Sequence, residues 1–180
     1  MRKILTQEAI NKRQQLITLL ASKSKTKQMS TDLIKFAPTF YGISMVHQEI
    51  WREYGYALLC IAGSDGDVSD PELEWLTVDL AESLHVDEEI VADWEEFEFE
   101  EADLEEIFFS FRHMSFANFN KLLLYDAIRM CSADGDYAEE EKEKVYEAAK
   151  ILQVSREAVI SIEALVEMEQ AAHKLRLTVL

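Results

Sequence analysis

The chain of 180 residues is long enough for one ordinary domain, and 48% of it is apolar, which is enough for a sizeable core. Its net charge of −17 repels nucleic-acid phosphates and excludes binding of DNA or RNA by the main body. Cys60 and Cys131 lack a CxxC spacing and are predicted to be free, buried thiols. Without a signal peptide or an apolar stretch that could span a bilayer, the sequence predicts a soluble, cytoplasmic protein.

Charge is distributed unevenly along the sequence. Residues 1–52 contain nine basic and three acidic side chains, whereas residues 53–111 contain 20 acidic side chains and no Lys or Arg. Residues 112–180 contain nine basic and 12 acidic side chains. Excess acid alone aids solubility. The complete lack of basic side chains over 59 residues also predicts a surface that attracts cations or a basic protein partner.

Residues 1–42 are predicted to form a basic N-terminal helix and linker, followed by an acidic helical domain at residues 43–180. Pro38 disfavours helical angles at Ala37, so compact structure is expected to start near residue 43. Three interpretations of the basic segment stay open. It packs on the bundle as an extra helix, it lies on an anionic membrane surface, or it folds back onto the acidic body.

From residue 43 onward the apolar periodicity predicts successive α-helices and no β-strand. Trp51, Trp75 and Trp94 fall on three different helices and are expected to anchor the core. The fold class is therefore all-α, a single helical bundle of about seven to eight helices. The helices are expected at residues 44–63, 70–85, 88–97, 102–113, 116–132, 139–152 and 156–176.

An acidic pattern, D-G-D-x-x-x-x-E, occurs twice. It lies within "SDGDVSDPE", which begins at Ser64, and within "ADGDYAEEE", which begins at Ala133. We name residues 65–72 the first acidic loop and residues 134–141 the second acidic loop. Each follows an apolar helix and precedes a helix that ends in Leu-x-Val, the second unit being one residue shorter in the middle. The sequence thus predicts two related helix-loop-helix repeats with their acidic loops in equivalent places.

The acidic loops have two interpretations. In the first they are caps, because Gly ends a helix and Ser69 with Glu72 forms a capping box. Ala138 occupies the capping position of the second loop and has no hydroxyl, so capping explains that loop less well. In the second interpretation the carboxylates converge on a hard divalent cation, Ca²⁺, Mg²⁺ or Mn²⁺. The candidate metal ligands are Asp65, Asp67, Glu72, Asp134, Asp136 and Glu141.

No catalytic constellation is present in the sequence. Glu82-x-x-His85 has the spacing found in di-iron bundles, but such sites need a second Glu-x-x-His, which is absent. His85 is instead expected at a helix end. The sequence predicts a protein that is not an enzyme. The alternative is a metal-dependent enzyme that uses the acidic loops as a weak Mg²⁺ or Mn²⁺ site.

The paired segments "SDGDVSDPE" and "ADGDYAEEE", with their apolar helices and Leu-x-Val ends, resemble the tellurite-resistance TerB family over about residues 43–170. The resemblance implies a compact helical bundle in which Asp65, Glu72, Asp134 and Glu141 belong to a shared acidic surface. It also implies a non-enzymatic role in tellurite resistance or stress response, with a protein partner in a membrane-associated complex. The expected location is cytoplasmic, peripheral to the inner face of the membrane. Tellurite is an anion, so direct binding to an acidic surface is not expected.

Overall fold

The structure, a computed structural model, describes residues 35–37, 43–46, 48–111 and 118–180. These residues belong to one compact unit that extends from Ile34 to Leu180. Apart from residues 35–37, the predicted basic helix and linker at 1–42 lies outside the described residues. Its three interpretations and its boundary therefore stay predictions.

Two short strands precede the first described helix. Lys35–Ala37 (β1) and Ile43–Val46 (β2) pair antiparallel, with Lys35 opposite Val46 and an irregularity in register between the paired ends. The expectation of no strand is therefore wrong at these positions. β-Branched Ile43 and Val46 favour extended backbone, and Pro38 cannot continue a helix. Because β2 occupies residues 43–46, the helix predicted to begin at residue 44 begins at Gln48.

The segments 48–111 and 118–180 are helical, which confirms the prediction of an all-α bundle. A π-helical turn, Trp75–Leu80, joins two short helices into one irregular helix, and short 3₁₀ turns lie at Gly63–Asp65 and Phe99–Glu101. Counting that irregular helix once, seven helices lie within these two segments. With α2 and α3 as the two parts of the irregular helix, the labelled segments are α1 (Gln48–Ala62), α2 (Asp70–Glu74), α3 (Ala81–Leu84), α4 (Glu88–Glu95), α5 (Leu104–Phe111), α6 (Phe119–Cys131), α7 (Glu139–Ile151) and α8 (Arg156–Val179).

Helix α1 lies at the centre of the bundle and packs against α4, α5, α6 and α7. Its central and C-terminal residues are almost all buried, which explains why apolar side chains are found around most of its circumference. Trp51, Trp75 and Trp94 are all buried, which confirms their predicted place in the core. Cys60 and Cys131 are free and buried, also as predicted.

The π-helical turn explains the difference in length between the two helix-loop-helix units. The first unit has one more residue than the second between its loop glutamate and its Leu-x-Val end. In the π turn the Ala81 N–H bonds to the Leu76 carbonyl, five residues back, whereas α7 is α-helical throughout. Such a turn takes up one inserted residue. Leu84 and Leu152 consequently both reach the core in spite of the insertion.

Candidate functional site

The turns of the two helix-loop-helix units have matching backbone conformations. Gly66 and Gly135 adopt left-handed angles, with φ of 106° and 95°. The helices that follow the loops end in left-handed residues, His85 with φ of 53° and Gln153 with φ of 57°. The helix-end position predicted for His85 is therefore confirmed. Descent of both units from one repeat stays a prediction.

The four aspartates predicted as ligands lie at the surface, where they shape the turns. The Asp67 N–H donates to Asp65 Oδ1 at 3.1 Å, and the Asp136 N–H donates to Asp134 Oδ1 at 2.8 Å. All four residues are exposed. In each loop, one of the two predicted aspartate ligands therefore accepts a hydrogen bond from the loop's own backbone, and the other faces solvent.

The last glutamate of each loop points in the opposite direction, into the protein. Glu72 is the third residue of α2, where its Oε2 accepts hydrogen bonds of 2.8 Å from both the N–H and the hydroxyl of Ser69. Glu141 is the third residue of α7, where its Oε2 accepts the Ala138 N–H at 2.7 Å. Capping of the first loop is thus as predicted. In the second loop, the Glu141 carboxylate alone caps the N-terminus of α7.

Glu72 and Glu141 meet each other and Cys131 inside the bundle. Each contributes one ligand atom to a cluster in which all three atoms lie within 4.8 Å of one another, and all three side chains are buried. Helix α2 packs on α6, whose last residue is Cys131, and α7 packs on the 3₁₀ turn before the first loop. Across residues 35–37, 43–46, 48–111 and 118–180, this is the one such cluster of His, Cys, Asp and Glu.

A shared proton accounts for the closeness of the two carboxyl groups. Burial and, after it, the neighbouring Glu72 carboxyl group raise the pKa of Glu141 to about 8, against the lowering effect of the bond from the Ala138 N–H. Burial also raises the pKa of Glu72, although its bonds from Ser69 oppose this shift. One proton held by the pair relieves the repulsion that two adjacent buried carboxylates would have, and the raised pKa of Glu141 favours Glu141 as its carrier.

Cys131 and Tyr137 complete the surroundings of the carboxyl pair. Burial, followed by the nearby charge of Glu141, raises the pKa of the Cys131 thiol well above its ordinary value, and the thiol donates to that carboxyl group. The pKa of Tyr137 is raised by burial and by the proximity of Cys131. The Tyr137 hydroxyl is buried and has no hydrogen-bond partner in the described part of the chain. A polar atom without a partner therefore lies near the cluster.

Of the six predicted ligands, the structure brings Glu72 and Glu141 together and leaves the four aspartates outside. Sequence reasoning missed Cys131 and Tyr137. A comparison of equivalent positions in the two helix-loop-helix units could have indicated them, because the units differ at both. Cys131 stands where the first unit has Ala62, and Tyr137 stands where it has Val68.

A groove of about 440 Å³ lies away from the carboxyl pair, between α8 and the π-helical turn. Its lining includes Trp75, Leu80, Tyr125, Arg129, Met168 and Ala172, and none of the six predicted ligands. Arg129 lies over the Trp75 ring at 5.1 Å and over the Tyr125 ring at 5.4 Å. Among the helices that the structure describes, none combines the length and apolarity needed to cross a membrane.

The chain is similar to a tellurite resistance protein from Nostoc punctiforme of known crystal structure. The two structures superpose with a TM-score of 0.67 at 29% sequence identity, and the match covers 78% of this chain and 86% of that chain. Scans against protein-family models and curated proteins find no match. The likeness confirms the resemblance to the tellurite-resistance TerB family and the bundle fold that it implies.

Proposed function

Because this chain resembles a tellurite resistance protein in fold and sequence, we propose that it is a non-enzymatic, TerB-like module of tellurite resistance or a related stress response. It acts by holding a divalent cation between its two helix-loop-helix units, with Glu72, Cys131 and Glu141 as ligands. The observation that supports this proposal is the convergence of one ligand atom from each of these three buried residues.

The chemistry of the cluster favours exchange of a proton for a cation. The carboxyl pair is neutralised to a single negative charge by one proton, and a divalent cation compensates both carboxylates without it. Carboxylate oxygens suit Ca²⁺, Mg²⁺ or Mn²⁺, and the Cys131 thiolate moves the preference toward Zn²⁺. Since ligands must lose their protons, binding releases protons into the buffer. The Tyr137 hydroxyl has no hydrogen-bond partner among the described residues, which supports a further polar group at this centre.

A second candidate function is binding of a basic protein surface by the acidic loops. It is supported by the exposure of Asp65, Asp67, Asp134 and Asp136, which are not members of the buried trio. The lack of Lys and Arg in residues 53–111 leaves the acidic field around the first loop without basic side chains from that segment. In this role the protein would be cytoplasmic and would join a complex at the inner face of the membrane.

Calorimetric titration of the full chain with Zn²⁺, Mn²⁺, Ca²⁺ and Mg²⁺ tests the first proposal. We expect one site, with a binding enthalpy that differs between buffers of different ionisation enthalpy because protons are released. At 100 times its dissociation constant, the bound cation should raise the unfolding free energy by about 2.7 kcal/mol. Glu72→Gln with Glu141→Gln should abolish binding.

The matched control is Asp65→Asn with Asp134→Asn, which removes two charges from the same loops but leaves the buried trio intact. It should retain the cation. If the control loses the cation and the buried variant keeps it, the ligands are the surface aspartates. If no ion binds the wild type, the cation proposal is wrong. Salt-dependent binding of a lysine-rich peptide, lost when all four aspartates become asparagine, then supports the second candidate.

The alternative function, a metal-dependent enzyme, differs in what it requires of the surroundings of the acidic residues. An enzyme needs its acidic ligands beside a concave substrate pocket. The groove between α8 and the π-helical turn lies elsewhere and contains none of the predicted ligands. This separation supports the non-enzymatic proposal.

A further inference from the structure

Helix α8 carries an apolar stripe in addition to the face that it packs on the bundle. Of its 24 residues, Val159 and Val166 are buried. Elsewhere on the helix, apolar residues recur at alternating spacings of three and four, which is the pattern of a coiled-coil seam. The members of this α8 stripe are Leu165, Met168, Ala172, Leu175 and Val179.

The α8 stripe is open to solvent. Met168 and Leu175 are each 63% exposed, and Leu165 and Val179 are exposed as well. Since successive residues of an α-helix are rotated by about 100°, the stripe lies on the far side of α8 from Val159. Met168 also borders the groove beside the π-helical turn, so the open apolar surface continues toward the bundle. A contiguous apolar surface of this kind indicates a partner.

We propose that the α8 stripe is the interface of a homodimer, in which the α8 helices of two chains pack antiparallel. The charged residues beside the stripe favour the antiparallel arrangement over the parallel one. Glu169 and Arg176 lie on the same edge, seven residues apart, and both border the groove, where Glu169 Oε2 also accepts a hydrogen bond of 2.7 Å from the Tyr125 hydroxyl. Antiparallel packing places like edges together, so that Glu169 of each chain meets Arg176 of the other. A parallel pair would place these charges against the other edge, where Ala164, Ala171 and Thr178 stand.

The overall charge of the chain also favours α8 as the point of contact. Two chains of net charge −17 repel each other wherever their acidic segments approach. Helix α8 itself carries three basic and four acidic residues, so it is nearly neutral. The small side chains of Ala164 and Ala171 allow two helices to come close. Added salt should strengthen the dimer by screening the long-range repulsion.

The mass of the full chain in solution, measured by sedimentation from micromolar to millimolar concentration, tests the proposal. We expect a dimer for the wild type and a monomer for Met168→Glu with Leu175→Glu, at unchanged helical content. The matched control is Leu177→Glu, because Leu177 is 73% exposed but lies on the opposite side of α8. The control should remain dimeric. A monomeric wild type, or equal loss of the dimer in the control, would overturn the proposal.

Cysteine cross-linking tests the antiparallel arrangement. If Glu169 meets Arg176, the symmetry axis passes near residue 172, and Ala172→Cys should form a disulfide-linked dimer. Leu165→Cys should not, because its two copies would be about 22 Å apart along the axis at a rise of about 1.5 Å per residue. Equal cross-linking at both positions would indicate a parallel pair and contradict the proposal. Glu169→Arg should weaken the dimer, and adding Arg176→Glu should restore it; failure to restore would remove the charge argument.

Discussion

Tyr54 on α1 donates a hydrogen bond of 2.7 Å to Asp126 Oδ2 on α6, and both side chains are completely buried. Arg129, one turn later in α6, approaches the same carboxylate at 3.9 Å. A buried carboxylate is costly to desolvate unless hydrogen bonds and a counter-charge compensate it. The Tyr54–Asp126 bond therefore helps to fix the packing of α1 on α6.

Tyr54→Phe should lower the free energy of unfolding by about 1–3 kcal/mol, because Asp126 then loses a hydrogen-bond donor inside the core. Urea denaturation measures this cost. The control is Tyr146→Phe. In the wild type, the Tyr146 hydroxyl donates a hydrogen bond of 2.9 Å to Glu163 in a less buried position. The control should lose less stability. Equal losses in the two variants would show that burial does not set the value of these bonds.

The stability of the protein should fall as pH rises through the range in which Glu141 loses its proton. Its pKa is raised from 4.5 to about 8, first of all by burial. An acid with a higher pKa in the folded state gives stability that is complete below pH 4.5 and is lost as pH rises through about 8. We expect Glu141→Gln, which does not titrate, to flatten this part of the profile.

Urea denaturation at a series of pH values, with a chelator present, measures that profile. Relative to wild type, Glu141→Gln should gain stability as pH increases. Asp134→Asn removes an exposed acid from the same loop and should leave the slope between pH 4.5 and about 8 unchanged. A wild-type slope that persists in Glu141→Gln would mean that another group carries the effect.

Gly66→Ala and Gly135→Ala should destabilise the protein by similar amounts. Both glycines have left-handed angles, and a β-carbon at either position would meet no atom within 4 Å. The cost is therefore confined to the backbone and is about 1–2 kcal/mol for each variant. Thermal unfolding of the two single variants checks this. Clearly unequal costs would show that the two turns are not energetically equivalent.

Deletion of Val78 should be tolerated better than deletion of Glu147. Val78 lies in the π-helical turn, which removal of one residue can convert into regular α-helix. Glu147 lies within α7, where a deletion rotates the residues on one side out of register with the core. Both residues are exposed, so little packing is lost directly. Melting temperatures compare the two, and a larger loss for the Val78 deletion would contradict this account.

The helices and the inward glutamates differ in how far the sequence predicts them. The helices follow from long apolar periods bounded by Gly, Ser and Asp, and those signals are local. Glu72 was recognised as a cap because capping is local too. Its meeting with Glu141 depends on how the two loops pack, which no local pattern specifies. The two strands were missed because three or four residues are too few to establish an alternating period.

Cys131 and Tyr137 show a second limit of the sequence analysis. Repeats are recognised by the residues that they share, so the positions at which the two units differ give no functional signal of this kind. Cys131 is the last residue of α6, next to the second loop. A single cysteine behaves as a small apolar residue, so its sequence context predicts an ordinary core position. The length difference between the units was visible, but the π-helical turn that absorbs it was not, because hydrophobic periodicity does not specify the type of helix.

The lack of basic side chains between residues 53 and 111 has a kinetic consequence. A surface with one sign of charge guides an oppositely charged partner during diffusion and raises the association rate, by about 10- to 1,000-fold at low ionic strength. It changes the dissociation rate much less, because few of its carboxylates need to touch the bound partner. The first acidic loop lies within this segment. A basic partner would therefore arrive quickly and leave at a rate set by short-range contacts alone.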